Sequence, residues 1–286
     1  MTDLSVVSAP EARSEVSSGW KARIELTYAH RYAKTRLVRC QRQGPLSVQR
    51  AFYPENDVCH TYLLHPPGGV VGSDQLDVHV QVEEKAHTLI TTPGATKFYR
   101  SGGRLATYRQ HLHLAAGACL EWFPQENIFF PDSQVRMSTQ INLHPDSRFI
   151  GWEIMCLGRP VIHERFTQGQ LMASTQLLVD GAPLLIEHLL SEGDSQQSSL
   201  AGMHGYPMQA TMLLYPASEA LLSSVQALMQ NETHLISAVT LLDSLLVVRV
   251  LGHQTEALMA LLTRVWSEVR PDIIGKPACI PRIWAT

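Results

Sequence analysis

The sequence predicts a mainly β protein of stacked sheets, with two α-helices in its C-terminal part. Three observations carry that reading: short apolar runs that alternate with period two, Gly, Pro, Asp or Asn between them, and a switch to helical periodicity after Ser218. Leu76-Asp77-Val78-His79-Val80-Gln81-Val82 shows the alternation most plainly, the mark of a strand with one buried face. Pro66-Pro67-Gly68-Gly69 before it and Pro93-Gly94 after it supply tight turns.

The remaining elements follow in order. Ala22–Thr27 and Lys34–Cys40 alternate as short strands, Gly44-Pro45-Leu46 turns, and Phe52-Tyr53-Pro54 leads to Tyr62-Leu63-Leu64. Beyond the Gly102-Gly103 break, strand-like runs recur at Tyr108–Leu114, Cys119–Phe123, Met137–Leu143, Phe149–Leu157, Leu171–Val179 and Pro183–Leu190. Their spacing suggests stacked sheets, but no repeat is regular enough to identify a solenoid. Glu192–Gly205 is polar, Gly- and Ser-rich, and reads as a mobile loop.

The first helix is expected near 218–229, where Leu221, Leu222, Val225, Leu228 and Met229 share one face and Ser218 is placed to cap. The second, near 254–268, carries Leu258, Leu261, Leu262, Val265 and Trp266. Between them Leu241–Leu251 reads as one buried strand. Pro271, Pro277 and Pro281 imply a last segment, 271–286, that runs extended along the surface.

Composition bounds the class. A chain of 286 residues with 45% hydrophobic content can build a sizeable core, read here as one β-rich domain over 19–286. The net charge of −3 requires no basic face, which argues against nucleic acid as a partner. No apolar run reaches membrane-spanning length. Residues 1–18 are polar, carry Asp3, Glu11 and Glu15, and read as a loose tail without a signal-peptide core. Cys40, Cys59, Cys119, Cys156 and Cys279 are odd in number, widely spaced and without C-x-x-C, the pattern of reduced thiols in the cytoplasm.

Candidate chemistry is sparse. Gly94-Ala95-Thr96-Lys97 and Gly68-Gly69-Val70-Val71-Gly72 both fail the P-loop pattern, so a turn role is favoured over nucleotide binding. Neither G-x-S-x-G nor H-E-x-x-H occurs. His111-x-His113 places two imidazoles on one strand face, and Cys59-His60 with His65 is a second soft-ligand group. A surface histidine pair and an ordinary buried thiol are the plainer reading of both. Asp74, Asp77, Glu121, Glu126, Glu153 and Glu187 lie in or beside apolar runs. They are either solvent-face strand residues, which suits Glu121 and Glu187 best, or the oxygen lining of an internal passage for a hydrated divalent cation. Lys97-Phe98-Tyr99-Arg100 and the Arg282-Ile283-Trp284 tail have the Tyr, Trp and Arg content of protein contacts, although packing over the core explains such groups as well.

Four segments carry a more specific signal: HPPGGVVGSD at His65–Asp74, TTPGATKFYRS at Thr91–Ser101, LEWFPQE at Leu120–Glu126 and PRIWAT at Pro281–Thr286. With Gly151-Trp152-Glu153, Leu157-Gly158-Arg159-Pro160, Trp266 and Arg270-Pro271, they resemble the urease accessory protein UreD (UreH) family in content and order. The resemblance implies an elongated helical stack of β-sheets with two α-helices. It implies a cytoplasmic, non-catalytic maturation factor that binds urease apoprotein and UreF, and through UreF the GTPase UreG, without a membrane. It implies nickel(II) in transit through an internal tunnel rather than a tightly bound cofactor. On that footing Asp74, Asp77, Thr96, Glu153 and Glu187 are expected along the nickel route, and Lys97, Phe98, Tyr99, Arg100, Arg282 and Trp284 at partner contacts. The rival reading is a carbohydrate-acting enzyme on a β-helical frame, which needs an open aromatic groove and two facing carboxylates.

Overall fold

The computed structural model describes residues 19–230 and 232–285. The expectation for 1–18 therefore lies outside the described residues. The strands are β1 (Lys21–Arg31), β2 (Lys34–Gln43), β3 (Ser47–Val48), β4 (Cys59–Leu64), β5 (Gln75–Val82), β6 (His87–Thr91), β7 (Thr96–Phe98), β8 (Leu105–Leu114) and β9 (Cys119–Phe123). They continue with β10 (Asn127–Phe129), β11 (Ser133–Leu143), β12 (Arg148–Leu157), β13 (Gly169–Val179), β14 (Ala182–Glu192), β15 (Met208–Tyr215), β16 (Ile236–Leu242) and β17 (Leu245–Gly252). The helices are a single turn α1 (Ser195–Ser198), α2 (Glu219–Met229) and α3 (Thr255–Ile274).

The chain winds as a stack of coils. It alternates between a seven-stranded sheet, ordered β14-β13-β11-β8-β5-β1-β2, and a larger sheet, ordered β16-β17-β15-β12-β9-β6-β4-β3. Successive coils pair in parallel, as in Leu76↔Tyr108, Tyr108↔Met137 and Met137↔Ala173, and in the opposite sheet His60↔Leu89↔Glu121↔Ile150. The short strand β10 pairs in parallel with the end of β12 on one side and with β7 on the other. The stacked architecture expected from the resemblance is present. Its coils were hidden in the sequence because their lengths are unequal.

Three layers result. The seven-stranded sheet has one wet face, so β8 alternates buried Tyr108, Gln110 and Leu112 with outward Arg109, His111 and His113. The larger sheet is covered on both faces, by the first sheet on one side and by α2 and α3 on the other. Its inner strands therefore read as continuous runs, and β9 (CLEWF) is buried at every residue.

The helices form for the reasons their patterns predict. Ser218 is extended and its Oγ accepts from Leu221 N at 3.4 Å, capping α2. The predicted stripe of α3 is buried, and the helix runs on past 268 through Pro271 to a left-handed cap at Gly275 (φ 80°). Pro271 is tolerated because it lies in the final turns, where few backbone bonds remain to be lost. The extended surface tail is thus corrected: 271–274 are helical and Arg282–Ala285 form a 3-10 turn. The single strand expected over 241–251 is a hairpin instead, β16 and β17 turning at Asp243 (φ 51°). Glu192–Gly205 contains α1 and buries Gln197 and Met203 against the core.

Candidate functional site

A cavity of about 510 Å³ lies between the two sheets, at the end where β13 and β14 face β15 and β17. Much of its wall is apolar, with Trp122, Ile141, Phe149 and Leu213 among the lining residues. Its polar groups are the more informative part. Glu153 projects inward from β12, and Gln110 Nε2 on β8 donates to Glu153 Oε1 at 3.3 Å and to Thr139 Oγ1 on β11 at 3.1 Å. Gln110 is buried and its Oε1 has no hydrogen-bond partner among the described residues. Burial raises the Glu153 carboxyl to about pKa 7, and the Gln110 and Thr139 bonds offset only part of that. Among the described residues, Glu153 has no cationic partner. Glu187, on β14, lines the same cavity nearer solvent and forms an ion pair with Arg249 of β17.

Of the carboxylates and hydroxyl expected on a route, Glu153 and Glu187 line this cavity, whereas Asp74, Asp77 and Thr96 do not. Asp74 holds a turn, accepting from Trp20 N at 2.8 Å and Val71 N at 2.9 Å. Asp77 faces outward on β5 and pairs with Arg109 at 3.3 Å. Thr96 opens β7 at the corner of a coil. Three lining or adjacent groups escaped the sequence reading: Gln110, Thr139 and Arg249. Arg249 did leave a signal, as the lone charge in the apolar run Leu245-Leu246-Val247-Val248-Arg249-Val250.

The solvent-face alternative for Glu121 is overturned, because β9 has no solvent face. Glu121 is fully buried under α3 beside Arg270, also fully buried. Arg270 Nε and Nη2 donate to its two oxygens at 2.9 and 3.0 Å, and Trp266 Nε1 donates to Oε2 at 2.7 Å. The guanidinium also engages both oxygens of Glu55 at 2.8 Å, and its Nη1 donates to the Pro277 carbonyl. His87 and His60 complete the network against Glu121 (2.7 Å) and Glu55 (2.8 Å). Burial opposes ionisation of Glu121, but His87 and Arg270 outweigh it and lower the carboxyl to about 2. Each buried charge here is satisfied, which identifies an anchor between helix and sheet rather than a reactive centre.

The histidine and cysteine groups do not converge. His111 and His113 lie on the outer sheet face, with His79 stacked on His111 at 4.6 Å. Cys59 and His60 are neighbours on one strand and so point to opposite faces, Cys59 toward Thr61 and His60 toward Glu55. Among the described residues, no three His, Cys, Asp or Glu side chains are grouped to hold a metal ion.

The expected partner residues also separate. Lys97, Tyr99 and Arg100 are exposed, but Phe98 is fully buried and stacks on Phe129 at 5.0 Å. A buried ring offers no partner contact, so its place is in the core. Arg282 is exposed, whereas Trp284 packs against Phe123, Trp152 and Trp266 and donates to Thr91 Oγ1 at 2.9 Å.

Comparison with known proteins decides the family. The UreD urease accessory protein family model matches residues 21–285. The chain belongs to the UreD family. It is 48% identical over 280 residues to the urease accessory protein UreD of Aliivibrio fischeri, covering 94% of this chain and 98% of that one. It is 49% identical to UreD of Vibrio parahaemolyticus (96% and 99% covered) and 46% identical to that of Escherichia coli (94% and 98%). These UreD relatives bear the name of an accessory protein and not of an enzyme. No helix among the described residues is long and apolar enough to cross a membrane.

Proposed function

We propose that the chain is a non-catalytic urease maturation factor that binds the urease apoprotein and, with UreF and through it UreG, supports nickel insertion, with the inter-sheet cavity as part of the metal's path. The observation that carries the path is the pairing of Glu153 and Glu187 on one cavity, backed by Gln110 and Thr139 oxygens. Oxygen donors hold Ni²⁺ more weakly than thiolates or imidazoles, which suits cargo that must leave again. The volume is adequate: six waters at about 30 Å³ each make a hydrated ion of roughly 180 Å³, well under the 510 Å³ present.

A carbohydrate-acting enzyme is not favoured. Its two carboxylates would face each other across an open aromatic groove, but Glu187 is tied to Arg249 and the relatives are accessory proteins.

The test is urease matured by co-expression with the other accessory proteins, with and without this chain. Inactive, nickel-poor urease only in its absence is the expected result. Full nickel loading without the chain would overturn the reading. Glu153→Ala should then lower urease nickel content while the variant still co-purifies with urease, and unchanged nickel content would remove the cavity from the path.

A further inference from the structure

The mouth of the cavity is spanned by a charge pair drawn from opposite sheets. Glu187 lies on β14, at the edge of the seven-stranded sheet, and Arg249 on β17 of the larger sheet. Their side chains are 28% and 46% exposed, whereas Glu153 lies deep between the layers. A guanidinium in this position has two consequences. It occupies the outermost carboxylate that a cation would meet, and its own charge repels cations from the opening.

We propose that Arg249 is a specificity-determining residue of this site, a latch on Glu187 that a divalent cation displaces and a monovalent one does not. The inference rests on the reading of the cavity as a metal path and adds how entry is controlled. The physical case is one of competition. A half-exposed ion pair is only weakly held, because water solvates both partners and two long side chains lose freedom on pairing. A divalent ion is attracted to the Glu187 carboxylate with twice the Coulomb energy of a monovalent ion at the same distance. Sodium or potassium, singly charged, gains too little from one carboxylate to expel a guanidinium that also donates hydrogen bonds. Once released, Arg249 has solvent beside it, so it can swing out without leaving a buried charge. The next oxygens inward, Glu153 and Thr139, carry no arginine and need no second displacement.

The latch predicts a reversal of sign that a merely structural pair would not. Arg249→Met frees Glu187, and Ni²⁺ binding to the complex of this chain with urease apoprotein should tighten by about fivefold. Glu187→Gln leaves an unpaired arginine across the mouth, and nickel content of urease at limiting nickel should fall. The double variant removes the repelling charge and should recover much of that loss.

The measurements are equilibrium dialysis of Ni²⁺ against each complex, in low and high potassium, and the nickel content of the matured urease. Wild-type selectivity against potassium should weaken in Arg249→Met. A double variant no better than Glu187→Gln, or Ni²⁺ binding unchanged in Arg249→Met, overturns the latch. If Glu153→Ala and removal of the chain also leave nickel loading unchanged, the cavity reading falls with it. If those still matter, the latch alone is wrong. Should Arg249→Met lose urease binding, Arg249→Gln takes its place, since it removes the charge but keeps a polar side chain and should tighten Ni²⁺ binding in the same sense.

Discussion

Arg270, near the end of α3, grips both carboxylate oxygens of Glu121, a residue 149 positions earlier in the middle of a five-residue strand. The same guanidinium holds both oxygens of Glu55 and the carbonyl of Pro277. One side chain thus fastens the terminal helix to the sheet and fixes where the last residues emerge. Arg270→Met should destabilise the protein by about 3 to 5 kcal/mol, since it leaves two carboxylates buried without their cation. Urea denaturation of the variant checks this. A loss below about 1 kcal/mol would mean that water relieves the network.

Acid should release the same anchor. The Glu121 carboxyl is lowered to about 2 in the folded state against 4.5 for a free group. A depressed carboxyl contributes stability that is present above about pH 4.5 and is lost as pH falls toward 2. The loss should reach about 3 kcal/mol. Stability measured between pH 5 and 2.5 should decline more steeply than in Glu121→Gln, which starts lower.

Glu153 should act in the opposite sense. Its carboxyl is raised to about 7 by burial, so the folded state holds a proton that the unfolded chain has already lost. Stability should therefore fall as pH rises from about 4.5 through 7, and level off beyond. Glu153→Gln, which keeps the shape without the charge, should be more stable than wild type at pH 8 by about 2 to 3 kcal/mol and nearly equal at pH 4.5. Equal stabilities at pH 8 would show that the charged form is well solvated in the cavity.

The C-terminal pair should split into two phenotypes. Trp284 is part of an aromatic cluster with Phe123, Trp152 and Trp266, so Trp284→Ala should cost about 2 to 4 kcal/mol. Arg282 is exposed, and Arg282→Ala should leave stability within about 0.5 kcal/mol. If the tail also docks UreF, Arg282→Ala should weaken co-purification at unchanged melting temperature. Weakened binding only in Trp284→Ala would trace the effect to loss of fold.

Legibility followed periodicity. β5 and β8 were readable because one sheet face is wet, so every second residue had to be polar. β16 and β17 merged into one predicted strand because the turn at Asp243-Ser244 lacks Gly and Pro. The β1–β2 hairpin likewise turns on Tyr32 and Ala33, both at positive φ (52° and 63°), with no glycine to announce it. Of the candidate site, Glu153 and Glu187 could be named from their apolar settings, but Arg249's pairing with Glu187 could not.

The sequence by itself determined the mainly β class, the two helical stripes, the Ser218 cap and the family, because those depend on local order along the chain. Only the tertiary structure decided which charges meet. Coils of unequal length stack Glu121 beneath Arg270 and set Glu187 against Arg249, and the doubly covered sheet turns an apparent solvent-face glutamate into a fully buried charge. Burial on a strand is set by what lies above and below it, and that is a property of the stack, not of the strand.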